Sequence, residues 1–276
     1  MARPDIDIVS WNVNGLRAVA TKGFLPWLRA RRAAFVGIQE VRATPEDLSP
    51  DLARPRGWHT GFTTPVRKGY SGVGFYAKQR PDAVSTSLGE DRFDAEARFQ
   101  EVRLGALTVV NAYFPNGNGT TLPNGRRSND RIPFKLDFYR AIEARLAARV
   151  AAGERILVMG DFNTAPQPID LARPRDNTKT SGFTEVERDE IARWLGAGWV
   201  DTFRHFHPER AAAYSWWSQR FGVRERNVGW RIDLVLASPG AMPFLRQAAI
   251  HAEVLGSDHC PVSVTVDRAI LTPSSR

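Results

Sequence analysis

Asn12 closes the apolar run IDIVSW, Glu40 closes FVGIQ, and Asp161, with Asn163 two residues on, closes RILVMG. A carboxylate or amide at the C-terminal end of a buried strand stands where α/β folds gather their active sites. Such groups are hard oxygen ligands, and they suit magnesium better than zinc. The single cysteine and the five histidines show no zinc-site spacing. No G-x-x-x-x-G-K-[ST] loop occurs, and GYSGVG (69–74) does not fit G-x-G-x-x-G, so a P-loop or dinucleotide-binding chemistry is not indicated.

Taken one at a time, these residues have bland explanations. An acid at a strand end is commonly a turn former or a helix cap, and the asparagines of NVNG (12–15) would suit a tight turn. His259 could be a core histidine. Cys260 reads as packing, pointing away from His259 because strand neighbours alternate between faces. The joint pattern weighs against coincidence: an amide or acid recurs at one strand end after another.

The elements that must position them are legible as short runs of apolar and β-branched residues. IDIVSWN (6–12), FVGIQE (35–40), LTVVNAY (107–113), RILVMGD (155–161), IDLVLAS (232–238) and HCPVSVTV (259–266) read as buried strands. Helical patterns fill 22–32, 133–150 and 184–198, the last opening with Thr184 and Glu187 at capping-box spacing. The Gly-rich, basic stretch 117–130 reads as a long exposed loop, and the last residues as a frayed tail. No internal repeat or linker is evident. The alternation of strands and helices implies an α/β chain with covered sheets, as one domain over 1–276 with a core at about 6–266.

The composition fits that reading. Of 276 residues, 42% are hydrophobic and 25% charged, enough to bury a sizeable core. A net charge of +8 favours polyanionic partners, nucleic acid before membrane. Lysine stands only at 22, 68, 78, 135 and 179, so arginine supplies most of the 38 basic residues, a bias that a GC-rich genome also produces. One cysteine allows no internal disulfide, and a reducing, cytoplasmic setting is expected. No signal peptide or membrane span is indicated.

The strings WNVNGLRA (11–18), IQE (38–40), NAYFPNG (111–117), GDFNTAP (160–166), NVGWRIDLVLAS (227–238) and SDHCPV (257–262) resemble, in order, the exonuclease III family of apurinic/apyrimidinic endonucleases. That family lies within the endonuclease/exonuclease/phosphatase superfamily, and the resemblance runs from about Ile6 to Val266. It implies a DNase I-like four-layer α/β sandwich, two packed mixed β-sheets flanked by helices. It implies Mg2+, with Mn2+ as a substitute, held by Glu40 with Asn12 beside it and Asp258 near. Asp161 would orient or deprotonate the attacking water, and Asn163 would hold the water or the phosphate. His259 would contact a phosphate oxygen, with Asp233 fixing its tautomer, and Tyr113 would touch the scissile phosphate. An Asp–His pair next to no suitable serine argues against a serine hydrolase. Asn14 stands where some members carry an aspartate, which puts a second metal ligand there in doubt.

The resemblance further implies a monomer acting on double-stranded DNA with abasic or 3′-blocked lesions, and no membrane partner. Cutting would fall 5′ to the abasic site, with 3′-phosphatase, 3′-phosphodiesterase and 3′→5′ exonuclease activities beside it. Trp216, Trp230 and Ile232 would line a pocket for the flipped baseless sugar. Arg220 and Phe221 would insert into the DNA stack. Asn116 is a further substrate contact, and Arg126, Arg127 and Arg131, with Arg224, Arg226 and Arg231, are candidate phosphate clamps. Arg29, Arg31 and Arg32 read instead as closing a helix. Two rivals stand beside this reading: a superfamily phosphatase acting on a non-DNA ester such as an inositol lipid, and a DNA-binding paralogue without turnover.

Overall fold

A computed structural model describes residues 4–123, 125, 127–219 and 222–273. Its strands are β1 (Ile6–Asn12), β2 (Ala33–Gln39), β3 (His59–Phe62), β4 (Val73–Ala77), β5 (Ala83–Ser85), β6 (Phe99–Leu104), β7 (Leu107–Tyr113), β8 (Arg155–Asp161), β9 (Val200–Asp201), β10 (Asp233–Ala237), β11 (Leu245–Ile250) and β12 (Val262–Val266). They form two six-stranded sheets, ordered β11-β12-β1-β2-β4-β3 and β5-β6-β7-β8-β10-β9. Each sheet has one parallel pair at its centre, β1 with β2 and β7 with β8, and antiparallel pairs on both sides. The two sheets thus share a pairing pattern although the sequence shows no repeat.

Strand alternation decides what lies between the sheets. Ile6, Ile8, Phe35, Val109, Leu157, Met159 and Val264 interleave there. The opposite faces bury Val9, Trp11, Val36 and Ile38 under the helices Leu16–Ala20 and Phe24–Ala30. Val110, Ala112, Ile156 and Val158 pack under Ile132–Ala151 and Glu185–Gly196. The result is four layers, as expected from sequence. The capping box of Thr184 and Glu187 forms as the spacing predicts. The helix expected over 22–32 is shorter, because Gly23 enters it at φ 98° and Arg31 is already extended toward β2. Arg29 stands in its last turn, and Arg31 lies over the Trp27 ring.

The inner face changes character along its length. Reading β1 by twos gives Ile6, Ile8, Ser10, Asn12; β7 gives Val109, Asn111, Tyr113; β8 gives Met159, Asp161. One end of the intersheet space is therefore hydrocarbon and the other polar. At the transition Gln39 Nε2 donates to Ser10 Oγ (3.0 Å) and, across the gap, to Asn111 Oδ1 (2.7 Å). Asn111 Nδ2 returns bonds to the carbonyls of Ile38 and Gly74. These buried amides tie the sheets together just beneath the polar end. The approach is close: a Cβ at Gly37 would lie 2.4 Å from Met159 Cε and 2.8 Å from Asn111 Cγ.

A second buried polar tie fixes the loops. Lys135, on the core face of its helix, pairs with Glu187 at 2.6 Å with both side chains fully buried. Burial pulls the lysine pKa down, and Glu187 opposes that pull. The ammonium also donates to the carbonyl of Asn163 (2.6 Å), while Glu187 accepts from the Gly182 N–H and the Thr184 hydroxyl. One ion pair therefore holds the loop after β8 against the loop before the helix Glu185–Gly196. Removing one partner strands a buried charge, which costs far more than the pair contributes. Lys135→Met should destabilise the protein by about 3–5 kcal/mol in urea unfolding, and Lys135→Met/Glu187→Gln should recover a large part. A double variant no more stable than the single one would contradict this account.

Candidate active site

Parallel strands end at the same edge, and antiparallel neighbours begin there. Asn12 and Glu40 lie at or just past the ends of β1 and β2, and Tyr113 and Asp161 end β7 and β8. Asp233 opens β10 directly opposite Asp161, and His259 precedes β12. The topology thus brings residues from six strands of two sheets to one place.

Asn12 Nδ2 donates to Glu40 Oε1 and to Asp161 Oδ2, both at 2.9 Å, and bridges the two sheets. Its Oδ1 accepts from the Asn14 N–H, which fixes the amide orientation. Asn12, expected beside the metal, thus holds the Glu40 and Asp161 carboxylates together. Asp161 also accepts from the backbone N–H of Asn163 (2.8 Å). The Asn163 amide donates to the Phe114 carbonyl and accepts from Asn116. Glu40 and Asn163 both adopt left-handed backbone, φ 54° and 50°, as do Asn14 and Arg42. Such a conformation costs on the order of 1–3 kcal/mol for a non-glycine residue. All four line one cavity, and two are asparagines, which adopt this backbone most readily.

His259 Nδ1 lies 2.8 Å from Asp233 Oδ2, and its Nε2 faces Asp161 Oδ2 at 3.8 Å. Burial alone would lower the imidazole pKa, but Asp233 and then Asp161 outweigh it and push it up to about 10. Burial raises Asp161 to about 7; His259 opposes the shift and Asp233 adds to it. Tyr113 is raised well above its ordinary value, by burial first and then by the charge of Glu40. Its ring lies under the Arg98 guanidinium at 4.3 Å. Asp258 sits to one side: Oδ1 accepts from Asn14 and Oδ2 from Trp216 Nε1. Burial raises its pKa, yet His259 and these donors bring it below the ordinary value.

One ligand atom each from Glu40, Asp161 and His259 lies within 4.8 Å of the others, a cluster whose carboxylates could hold a metal ion. Asp258, expected near the metal, is not in that group. The carboxylate oxygens fit a hard divalent cation. They open into a cavity of about 290 Å³ that Tyr113, Asn116, Asn163, Trp216, Trp230 and Ile232 also line. The two tryptophan rings meet edge to face at 6.4 Å.

The basic residues divide. Arg127 and Arg131 line a groove of about 690 Å³ beside Tyr113, although Arg131 also pairs with Glu96. Arg226 is exposed. Arg231 is a correction: it is buried between Asp170 and Asp201, each 2.7 Å away, and is no phosphate clamp. Arg224 is another, because its guanidinium is taken up by the carbonyls of Ala252, Val254 and Ser257. Arg126, Arg220 and Phe221 lie outside the described residues. Sequence reasoning did not single out Arg42, which pairs with Glu40, or Arg98 behind Tyr113.

The model of the endonuclease/exonuclease/phosphatase family matches residues 9–259. The chain belongs to this family. An exodeoxyribonuclease of Bacillus subtilis is 37% identical over 261 residues, 94% of this chain and 99% of that protein. The DNA repair nuclease APEX1 of Danio rerio is 34% identical over 264 residues, 94% and 82% of the two chains. Among solved structures, a 3′-5′ exonuclease from Neisseria meningitidis superposes with a TM-score of 0.84 at 26% identity, covering 95% of this chain and 100% of that one. An AP endonuclease from Archaeoglobus fulgidus gives 0.82 at 25%, covering 95% and 99%. The protein is thus a hydrolytic nuclease of the endonuclease/exonuclease/phosphatase family, with the DNase I-like fold.

The raised His259 pKa sets a pH dependence. Because the folded value exceeds the unfolded 6.5, its pairing energy is fully present below pH 6.5 and lost as pH rises through about 10. In EDTA, the stability gap between the parent protein and His259→Gln should therefore narrow as denaturant unfolding is repeated from pH 6.5 to 10. A gap that stays constant would mean a neutral imidazole.

Proposed function

We propose that the protein is a magnesium-dependent DNA repair nuclease that hydrolyses the phosphodiester 5′ to an abasic site in duplex DNA. The observation that carries this reading is a juxtaposition: the Glu40–Asp161–His259 group shares one cavity with the apolar wall of Trp216, Trp230 and Ile232. A charge-neutralising centre beside a tryptophan-lined slot suits a phosphate ester attached to a sugar without a base. The names of the relatives support a DNA substrate: exodeoxyribonuclease, DNA repair nuclease, and DNA-(apurinic or apyrimidinic site) endonuclease in Dictyostelium discoideum. A Neisseria 3′ phosphatase bound to a product DNA hairpin, at a TM-score of 0.83, supports accompanying action at blocked 3′ ends. We assign the protein to the cytoplasm and to action as a monomer.

Mg2+, with Mn2+ as substitute, would be held by Glu40, with Asn12 beside it and Asp258 near, and would supply positive charge where the phosphorane-like transition state gains negative charge. The side chains do the rest. Asp161, held by the Asn12 amide and the Asn163 N–H, would accept a proton from the attacking water. The imidazolium of His259, oriented by Asp233, presents Nε2 to a non-bridging phosphate oxygen. Asn163, Asn116 and Tyr113 line the same cavity.

On an end-labelled abasic duplex, a single cut should leave a 3′-hydroxyl and a 5′-deoxyribose phosphate, and EDTA should abolish it. Asp161→Asn and Glu40→Ala should each slow cutting by at least about 10²-fold without loss of fold. Cutting that persists in EDTA, or turnover of a phosphoinositide in preference to abasic and 3′-phosphate duplexes, would overturn the assignment.

A further inference from the structure

Arg42 is the only arginine or lysine among the described residues that line the cavity. Its guanidinium is paired with Glu40, the carboxylate read above as a metal ligand. The two side chains differ in freedom: 44% of the Arg42 side chain is exposed, against 11% for Glu40. The backbone gives neither a choice of direction. Val41 between them is fully buried, and the flanking residues are left-handed, φ 54° and 52°. Val41 and Arg42 donate to the carbonyls of Gly72 and Ser71, while Gly15 and Leu16 donate to those of Glu40 and Val41. The turn is clamped from both sides so that two opposite charges project into one cavity.

A guanidinium and a divalent cation compete for Glu40 Oε2, since Oε1 already accepts from Asn12. Two like charges at one carboxylate also repel. Once displaced, the half-exposed arginine needs a new anion, and its planar fork matches two oxygens of a phosphodiester. We propose that Arg42 is an exchangeable counter-ion: it neutralises Glu40 before metal binds and transfers to a substrate phosphate when metal takes its place. The exchange rests on the reading of Glu40 as a metal ligand.

Two measurements test it. Mn2+ binding to the DNA-free protein, followed by the EPR signal of the unbound ion, should be about fivefold tighter for Arg42→Met than for the parent, with Arg42→Lys close to the parent. For an abasic duplex with a methylene in place of the scissile oxygen, the log-affinity against log-salt slope should be flatter by about 0.9 for Arg42→Met in Mg2+. In EDTA the two slopes should coincide. Equal Mn2+ affinities would refute the exchange, and so would slopes that coincide in Mg2+ or differ equally in EDTA. A Glu40→Ala variant that binds Mn2+ as tightly as the parent would remove the underlying reading of Glu40, and the exchange with it.

Discussion

Asp161 is an aspartate with 1% exposure that has Asp233 directly across the β8–β10 ladder and Glu40 bonded to the same amide. Burying a carboxylate costs several kcal/mol unless its charge is met, and gathering others around it adds repulsion. Much of the surrounding structure answers that constraint. Asn12 and the Asn163 N–H donate to the carboxylate, and His259 is kept cationic by the aspartate behind it. What these donors leave unmet is an attraction for positive charge at the floor of the cavity. An arginine meets part of it at Glu40, and the donor chemistry there suits a divalent cation.

The same constraint explains the doubled architecture. A single sheet edge presents side chains along a line, whereas a metal and a phosphate need them around a point. Two sheets packed face to face, each ending its central parallel pair at the same edge, provide that convergence. The spacing between them must then be held, since Glu40 belongs to one sheet and Asp161 to the other. Gln39 and Asn111 hold it by hydrogen bonds, and Gly37 holds it by the absence of a side chain.

Much of this was legible in the sequence, and for identifiable reasons. Strands covered on both faces read as apolar runs, as β1, β2, β7, β8, β10 and β12 do. Strands with a solvated side do not: β6 alternates Glu101 and Arg103 with Val102 and Leu104, and β11 carries Arg246 and Gln247, so neither shows a run. The site residues stood out by type at strand ends. Their supports did not, although two signals were present. Lys135 interrupts the apolar face of its helix, and the inner-face positions of β2 and β7 turn from apolar to amide at Gln39 and Asn111. The reading of Arg231 failed for a physical reason. Its partners lie 61 and 30 residues away, at Asp170 and Asp201, and nothing local separates a buried arginine from a solvated one.

The neighbouring tryptophans show how the substrate wall and the charge centre become one body. In extended chain, consecutive side chains face opposite ways. Trp217 is buried with Tyr214 and Cys260, which leaves Trp216 half-exposed in the cavity. Trp216 is not a free wall. Its backbone bridges to both Trp230 and His259, and its indole N–H donates to Asp258. Asp258 in turn accepts from Asn14, two residues from the amide that holds Glu40 and Asp161. A ligand that displaced Trp216 would therefore disturb the hydrogen bonds behind Glu40 and Asp161. On the function proposed above, a poor fit at this wall would be felt as poor alignment at the phosphate, which couples selection of the substrate to the chemistry performed on it.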